Sequence, residues 1–214
     1  MEKSSRNRFE EFGGRVASAW EGLRPATRSM VERALQSAVA AAAAAPAAVV
    51  SYDARSEWEL SGLLTALDER AGEGGANVLL SVEQSRELVR VADACALVLR
   101  NEARSAEVFA QLLGRALRVR AYNRVDEIAD TLTLRLAPSE MCELARSANQ
   151  AVRAIANEAL AQKPTSVLIE LLGDPVDAEI AREALEIQAD DYGSEEARWV
   201  VVTLARADED CEED

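Results

Sequence analysis

Four arginines, Arg115, Arg118, Arg120 and Arg124, fall within ten residues, with Tyr122 among them. A guanidinium is a planar fork of donors that meets carboxylate or phosphate oxygens in pairs. A cluster of this kind suits docking of an acidic partner or of a phosphate backbone. The same stretch straddles the end of one expected helix and the start of the next. Cations are favoured at a helix C-terminus by the backbone dipole, which accounts for Arg115, Arg118 and Arg120 without any ligand. The five residues are read as a candidate partner-binding set, weighed against that capping role.

Other chemistry has little to stand on. Histidine is absent, which removes the commonest general base and the commonest zinc ligand. Cys95, Cys142 and Cys211 are far apart and form no CxxC pair. Cys95 falls on the apolar face of one helix, and Cys142 sits in another as a small near-hydrophobic residue. Such thiols suit a reducing compartment, and a cytoplasmic location is expected. The densest carboxylates, Asp190, Asp191, Glu195 and Glu196 around Gly193, match no calcium-loop spacing. Acids just after Ser194 follow the ordinary preference of a helix N-terminus. The stretch Gly72-Glu73-Gly74-Gly75 lacks the lysine and hydroxyl residue that finish a phosphate loop. No catalytic residue, metal site or cofactor is expected.

The net charge of −14 is spread unevenly. Residues 1–50 carry seven basic and five acidic side chains, a net of +2, whereas residues 151–214 carry five and seventeen, a net of −12. Only Lys3 and Lys163 are lysines. The acidity is read first as solvation. It also weighs against nucleic acid, which would require further basic patches. The tail Asp208–Asp214, six acids in seven residues, is either a solvated end or an interaction tail. It is itself a candidate occupant of the arginine cluster.

The elements that must position these residues are helices. Apolar residues make up 49% of the 214, aromatics only 4%, and alanine, the best helix former, is abundant throughout. No run alternates at period two as a strand would, so the fold class is all-α: a helical stack or bundle. Phe9, Phe12, Val16, Trp20 and Leu23 recur at helical spacing, interrupted by Gly13-Gly14. This N-terminal helix could touch a membrane surface through its aromatics, although Glu10, Glu11 and Glu21 weaken that. The alanine-rich stretch to Val50 is broken by Pro46 and too weakly apolar to span a membrane. It is read as a linker.

From Ser56 the punctuation is clear. Ser56-Glu57-Trp58-Glu59 and Ser81-Val82-Glu83-Gln84 both have capping-box spacing. Asn123 is placed to cap the helix that follows the arginines, and Asp174-Pro175 to start another. Pro138 and Pro164 suit first turns. Gly193 can close one helix and Ser194 cap the next.

The C-terminal third repeats itself. Ile155-Ala-Asn-Glu-Ala-Leu160 returns as Ile180-Ala-Arg-Glu-Ala-Leu185, each after a short apolar helix and a polar turn. With Leu168-Ile169-Glu170-Leu171-Leu172-Gly173-Asp174-Pro175 and Ala151-Val152-Arg153-Ala154, residues 136–206 resemble the HEAT-like (PBS-lyase-type) repeat. The Val152-Arg153 pair has become Asp177-Ala178 in the second copy. The resemblance implies paired helices that stack because neither can bury its face alone.

The expected organisation is an N-terminal helical appendage and linker over residues 1–50, a helical-repeat-like domain over 51–207 and an acidic tail over 208–214. The expected function is a non-catalytic scaffold or adaptor that meets a protein partner or a second copy of itself. One alternative is a nucleic-acid-associated or regulatory protein using Arg115–Arg124; another is a carboxylate-based enzyme.

Overall fold

The computed structural model describes residues 9–39, 52–72 and 80–212, and those residues form helices and turns with no strand. The alanine-rich stretch at 40–51, the glycine loop at 73–75 and the basic residues Lys3, Arg6 and Arg8 lie outside them. The helices are α1 (Gly14–Gly22), α2 (Pro25–Val39), α3 (Ala54–Gly72), α4 (Val82–Glu102), α5 (Ala106–Arg118) and α6 (Tyr122–Arg135). They continue with α7 (Pro138–Ala145), α8 (Gln150–Ala161), α9 (Thr165–Leu171), α10 (Ala178–Asp190) and α11 (Glu195–Glu212). None is long and apolar enough to cross a membrane.

The chain divides into two compact units, Met1–Ala103 and Arg104–Asp214. The alanine run that suggested a boundary near residue 50 lies outside the described residues. The described helices before residue 40 belong to the same unit as α3 and α4. Their apolar stripe demands this: Phe9, Phe12, Val16, Trp20 and Leu23 are all buried. The Phe9 and Trp20 rings stack with centroids 4.0 Å apart, and Phe12 meets Phe9 edge-on at 6.0 Å. Aromatics so enclosed have no face left for a lipid surface. Gly13 makes the bend before α1, at φ 113°, a value L side chains rarely adopt.

Within this first unit α1 packs on α3, and α2 and α3 pack on α4. Leu60, Leu63, Leu64 and Leu67 recur at helical spacing along α3 and are fully enclosed; each contributes about 2 kcal/mol by leaving water. The capping box at Ser81 forms as expected, with Ser81 Oγ accepting from the Gln84 N–H and Gln84 Oε1 from the Ser81 N–H. The one at Ser56 does not. The helix starts earlier, and Asp53 accepts from the Ser56 N–H at 2.7 Å and from its hydroxyl at 2.8 Å. Glu59 turns inward instead, toward Arg24 and Thr27.

The second unit is a stack of helical hairpins. α5 pairs with α6, α7 with α8 and α9 with α10. The first members of the pairs neighbour one another in the order α5, α7, α9, and the second members in the order α6, α8, α10. The two near-identical hexamers occupy α8 and α10, which pack together, and bury matching residues: Ala156, Ala159 and Leu160 in one, Ala181, Ala184 and Leu185 in the other. The stacking begins at α5, ahead of residue 136 where the sequence repeat was first discernible. α11 packs along α10.

The starts of two helices differ from expectation. Asn123 lies inside α6, whose cap position is held by Ala121 with no side-chain hydrogen bond. Asp174 accepts from the Val176 N–H and so forms a local turn, and α10 is regular only from Ala178. Pro138 holds the first turn of α7 and Pro164 the cap position of α9. Gly193, at φ 64°, closes α10, and Ser194 Oγ accepts from the Ala197 N–H to open α11.

Candidate functional site

The arginine cluster forms the tip of the first hairpin of the second unit. α5 opens at Ser105, whose Oγ accepts from the Val108 N–H, while the Ala106 N–H donates to Glu140 of α7 at 2.7 Å. Its inner face, Phe109, Leu112, Leu113 and Ala116, is buried, and so is Val125 just beyond the turn. These anchors fix both ends of a three-residue connection, 119–121.

The connection is a Schellman turn. The Ala121 N–H donates to the Ala116 carbonyl at 2.9 Å and the Arg120 N–H to the Leu117 carbonyl at 3.0 Å, the two bonds that define this helix end. The residue between must be left-handed, and Arg120 takes φ 55°, alone among the described non-glycine residues. Glycine is the usual occupant, because a Cβ costs about 1 kcal/mol there. The turn exposes Arg118, Arg120 and Arg124 beside Val119, 62% exposed, and Tyr122, 63% exposed. Arg115 lies a turn back on α5 and is half-buried. The structure therefore brings Arg118, Arg120, Tyr122 and Arg124 to one exposed tip and sets Arg115 apart from them.

This arrangement can do recognition chemistry. Three exposed arginines bring positive charge to the tip, and a tyrosine and a valine supply amphipathic area between them. The next two hairpin tips are tied to each other. Arg146 donates through both terminal nitrogens to one oxygen of the buried Asp177, at 3.0 and 2.5 Å. This pair ties the turn after α7 to the turn before α10, and it places the Asp177 that stands where the first copy has Val152. Nothing in the local pattern announces it, because its partners are 31 residues apart. Beneath it lies Cys142, fully buried, whose thiol is pushed up to about 11 by burial and, secondarily, by Asp177. Cys95 is likewise fully buried.

The carboxylates around Gly193 do not converge on a common point that could hold a metal ion; among the described residues no such group of three is found. Asp190, Asp191, Glu195 and Glu196 are all exposed. The neighbouring Tyr192 hydroxyl donates to Glu158, and that bond raises its pKa. No family model, curated protein or solved structure matches this chain.

Proposed function

We propose that the protein is a non-catalytic helical scaffold that engages a protein partner through the α5–α6 turn, with Arg118, Arg120 and Arg124 meeting carboxylates and Tyr122 packing among them. The observation that supports this reading most directly is Arg120. An arginine in a left-handed position that glycine would occupy at lower cost, exposed between two further arginines, is a departure from local preference of the kind that accompanies a functional surface. Stacked hairpins also offer extended edges for recognition.

The test is affinity capture with the full chain, compared with the triple variant Arg118→Glu/Arg120→Glu/Arg124→Glu. A protein held by the wild type and released by the variant is the expected result. Salt-dependent retention on DNA that the variant abolishes would replace this reading with a nucleic-acid one. If neither a protein nor DNA depends on the three arginines, the reading fails.

A further inference from the structure

The last helix of the second unit ends the stack on an apolar face. α11 buries Ala197 and Val200 as it packs along α10. On its outward side Trp199 is 70% and Val202 43% exposed, three residues apart and so neighbours on the helix surface. Glu195 and Glu196 stand four and three residues before Trp199, exposed on the same side. Asp190, Asp191 and the half-exposed Tyr192 lie just ahead of them at the end of α10. Two arginines share α11: Arg198, which donates to the Ala189 carbonyl at 3.0 Å, and the exposed Arg206. Repeat stacks ordinarily end on polar helices, and an open tryptophan at the end of one is an unfilled contact.

We infer that a second copy of the chain fills it, with the Arg118–Arg124 turn of one molecule seated on the Trp199–Val202 face of the next. This deepens the scaffold reading and rests on it. The two surfaces complement each other in charge: Arg118, Arg120 and Arg124 on one, Glu195, Glu196, Asp190 and Asp191 on the other. Each has an apolar centre, Val119 and Tyr122 against Trp199 and Val202. A guanidinium over an exposed indole adds cation–π attraction. The self-matched alternatives use less of this complementarity. Two turns would bring arginines together, and two α11 faces would leave the arginine turns unused, so the unlike pairing is the one that engages both surfaces. Where a single contact leaves one turn and one α11 face unused, a further copy can add at each.

Sedimentation of the full chain over a range of concentration and salt tests this. The wild type is expected to grow in mass with concentration and to shrink as salt rises. Two variants, Arg118→Glu/Arg120→Glu/Arg124→Glu and Glu195→Lys/Glu196→Lys/Trp199→Ala, are each expected to stay monomeric, with association weakened roughly tenfold or more. Mixed together they are expected to regain association, because each retains the surface the other has lost. A wild type that stays monomeric, or association that either variant alone leaves intact, overturns the inference. If the wild type is monomeric and a different protein is still lost with the three arginines, this inference falls and the scaffold reading stands.

Discussion

The carboxylate of Glu59 takes two hydrogen bonds from Arg24, one from its main-chain N–H at 3.1 Å and one from Nε at 3.0 Å. Thr27 Oγ1 adds a third at 2.6 Å and Arg55 Nε a fourth at 3.1 Å. The Glu59 side chain is only 3% exposed. A buried carboxylate is tolerated when its lone pairs are filled in this way, and here the filling ties the start of α2 to the first turns of α3.

Glu59→Ala is expected to destabilise the protein by about 3 kcal/mol, because Thr27 and the Arg24 N–H would lose their acceptor in a buried place. Urea denaturation followed by circular dichroism measures it. A loss under about 0.5 kcal/mol would show that the network contributes little.

The same residues set a pH dependence. Asp53 is held well below the usual carboxylate range, first by its hydrogen bond from Arg24 and then by those from Ser56. Burial alone would raise Glu59, but hydrogen bonds from Thr27 and Arg24 outweigh it and leave it lowered. With both pKa values depressed on folding, the unfolded chain takes up protons first. Their stabilisation is therefore complete above the ordinary carboxylate pKa of about 4 and is lost progressively as pH falls below it. Denaturation midpoints measured between neutral pH and about pH 3 are expected to fall in the wild type, and to fall less steeply in Glu59→Gln.

Asp177→Ala and Arg146→Ala are expected to be coupled. Removing either partner leaves the other without its match, and a double-mutant cycle should return an interaction of roughly 1–3 kcal/mol. Additive losses would mean that the pair is a geometric coincidence of two turns.

Arg120→Gly is expected to raise stability by roughly 0.5–1 kcal/mol by relieving the left-handed turn, whereas Arg120→Ala brings no such gain. Thermal melts distinguish the two. If the turn is the proposed recognition surface, the glycine variant also loses affinity in the capture experiment while gaining stability.

The thiols of Cys95 and Cys142 are expected to resist alkylation in the native protein at pH 8. Both are fully buried, and Cys142 is further protected by a pKa near 11, so little thiolate is present. Peptide mapping after iodoacetamide treatment, with and without denaturant, should show labelling at these positions only in the unfolded chain.

What could be read from the sequence was what depends on near neighbours. The Ser81 box is complete within four residues, and the apolar stripes of α3, α4 and α5 repeat within a turn or two, so both were legible. Ser56-Glu57-Trp58-Glu59 has the same spacing as the Ser81 box, yet Asp53 captures the Ser56 amide and Arg24, 35 residues away, claims Glu59. A competing partner at that distance leaves no local trace. The arginine cluster was visible as composition, but its geometry was not. Without a glycine at 120 the sequence gives no sign of a left-handed turn, and Asn123, a better cap by residue type than Ala121, drew the next helix boundary two residues late. The hairpin of α5 and α6 was hidden in another way: it stacks like its successors without sharing their hexamer.

Because each hairpin of the second unit meets only the one before and the one after, its length is a modular quantity. Ala156, Ala159 and Leu160 do for α8 what Ala181, Ala184 and Leu185 do for α10. A chain that gained or lost one such hairpin would meet side chains of the same size at the new junction. The fold can therefore change its length, and with it the span between its arginine tip and its final helix, by whole steps and without a new core.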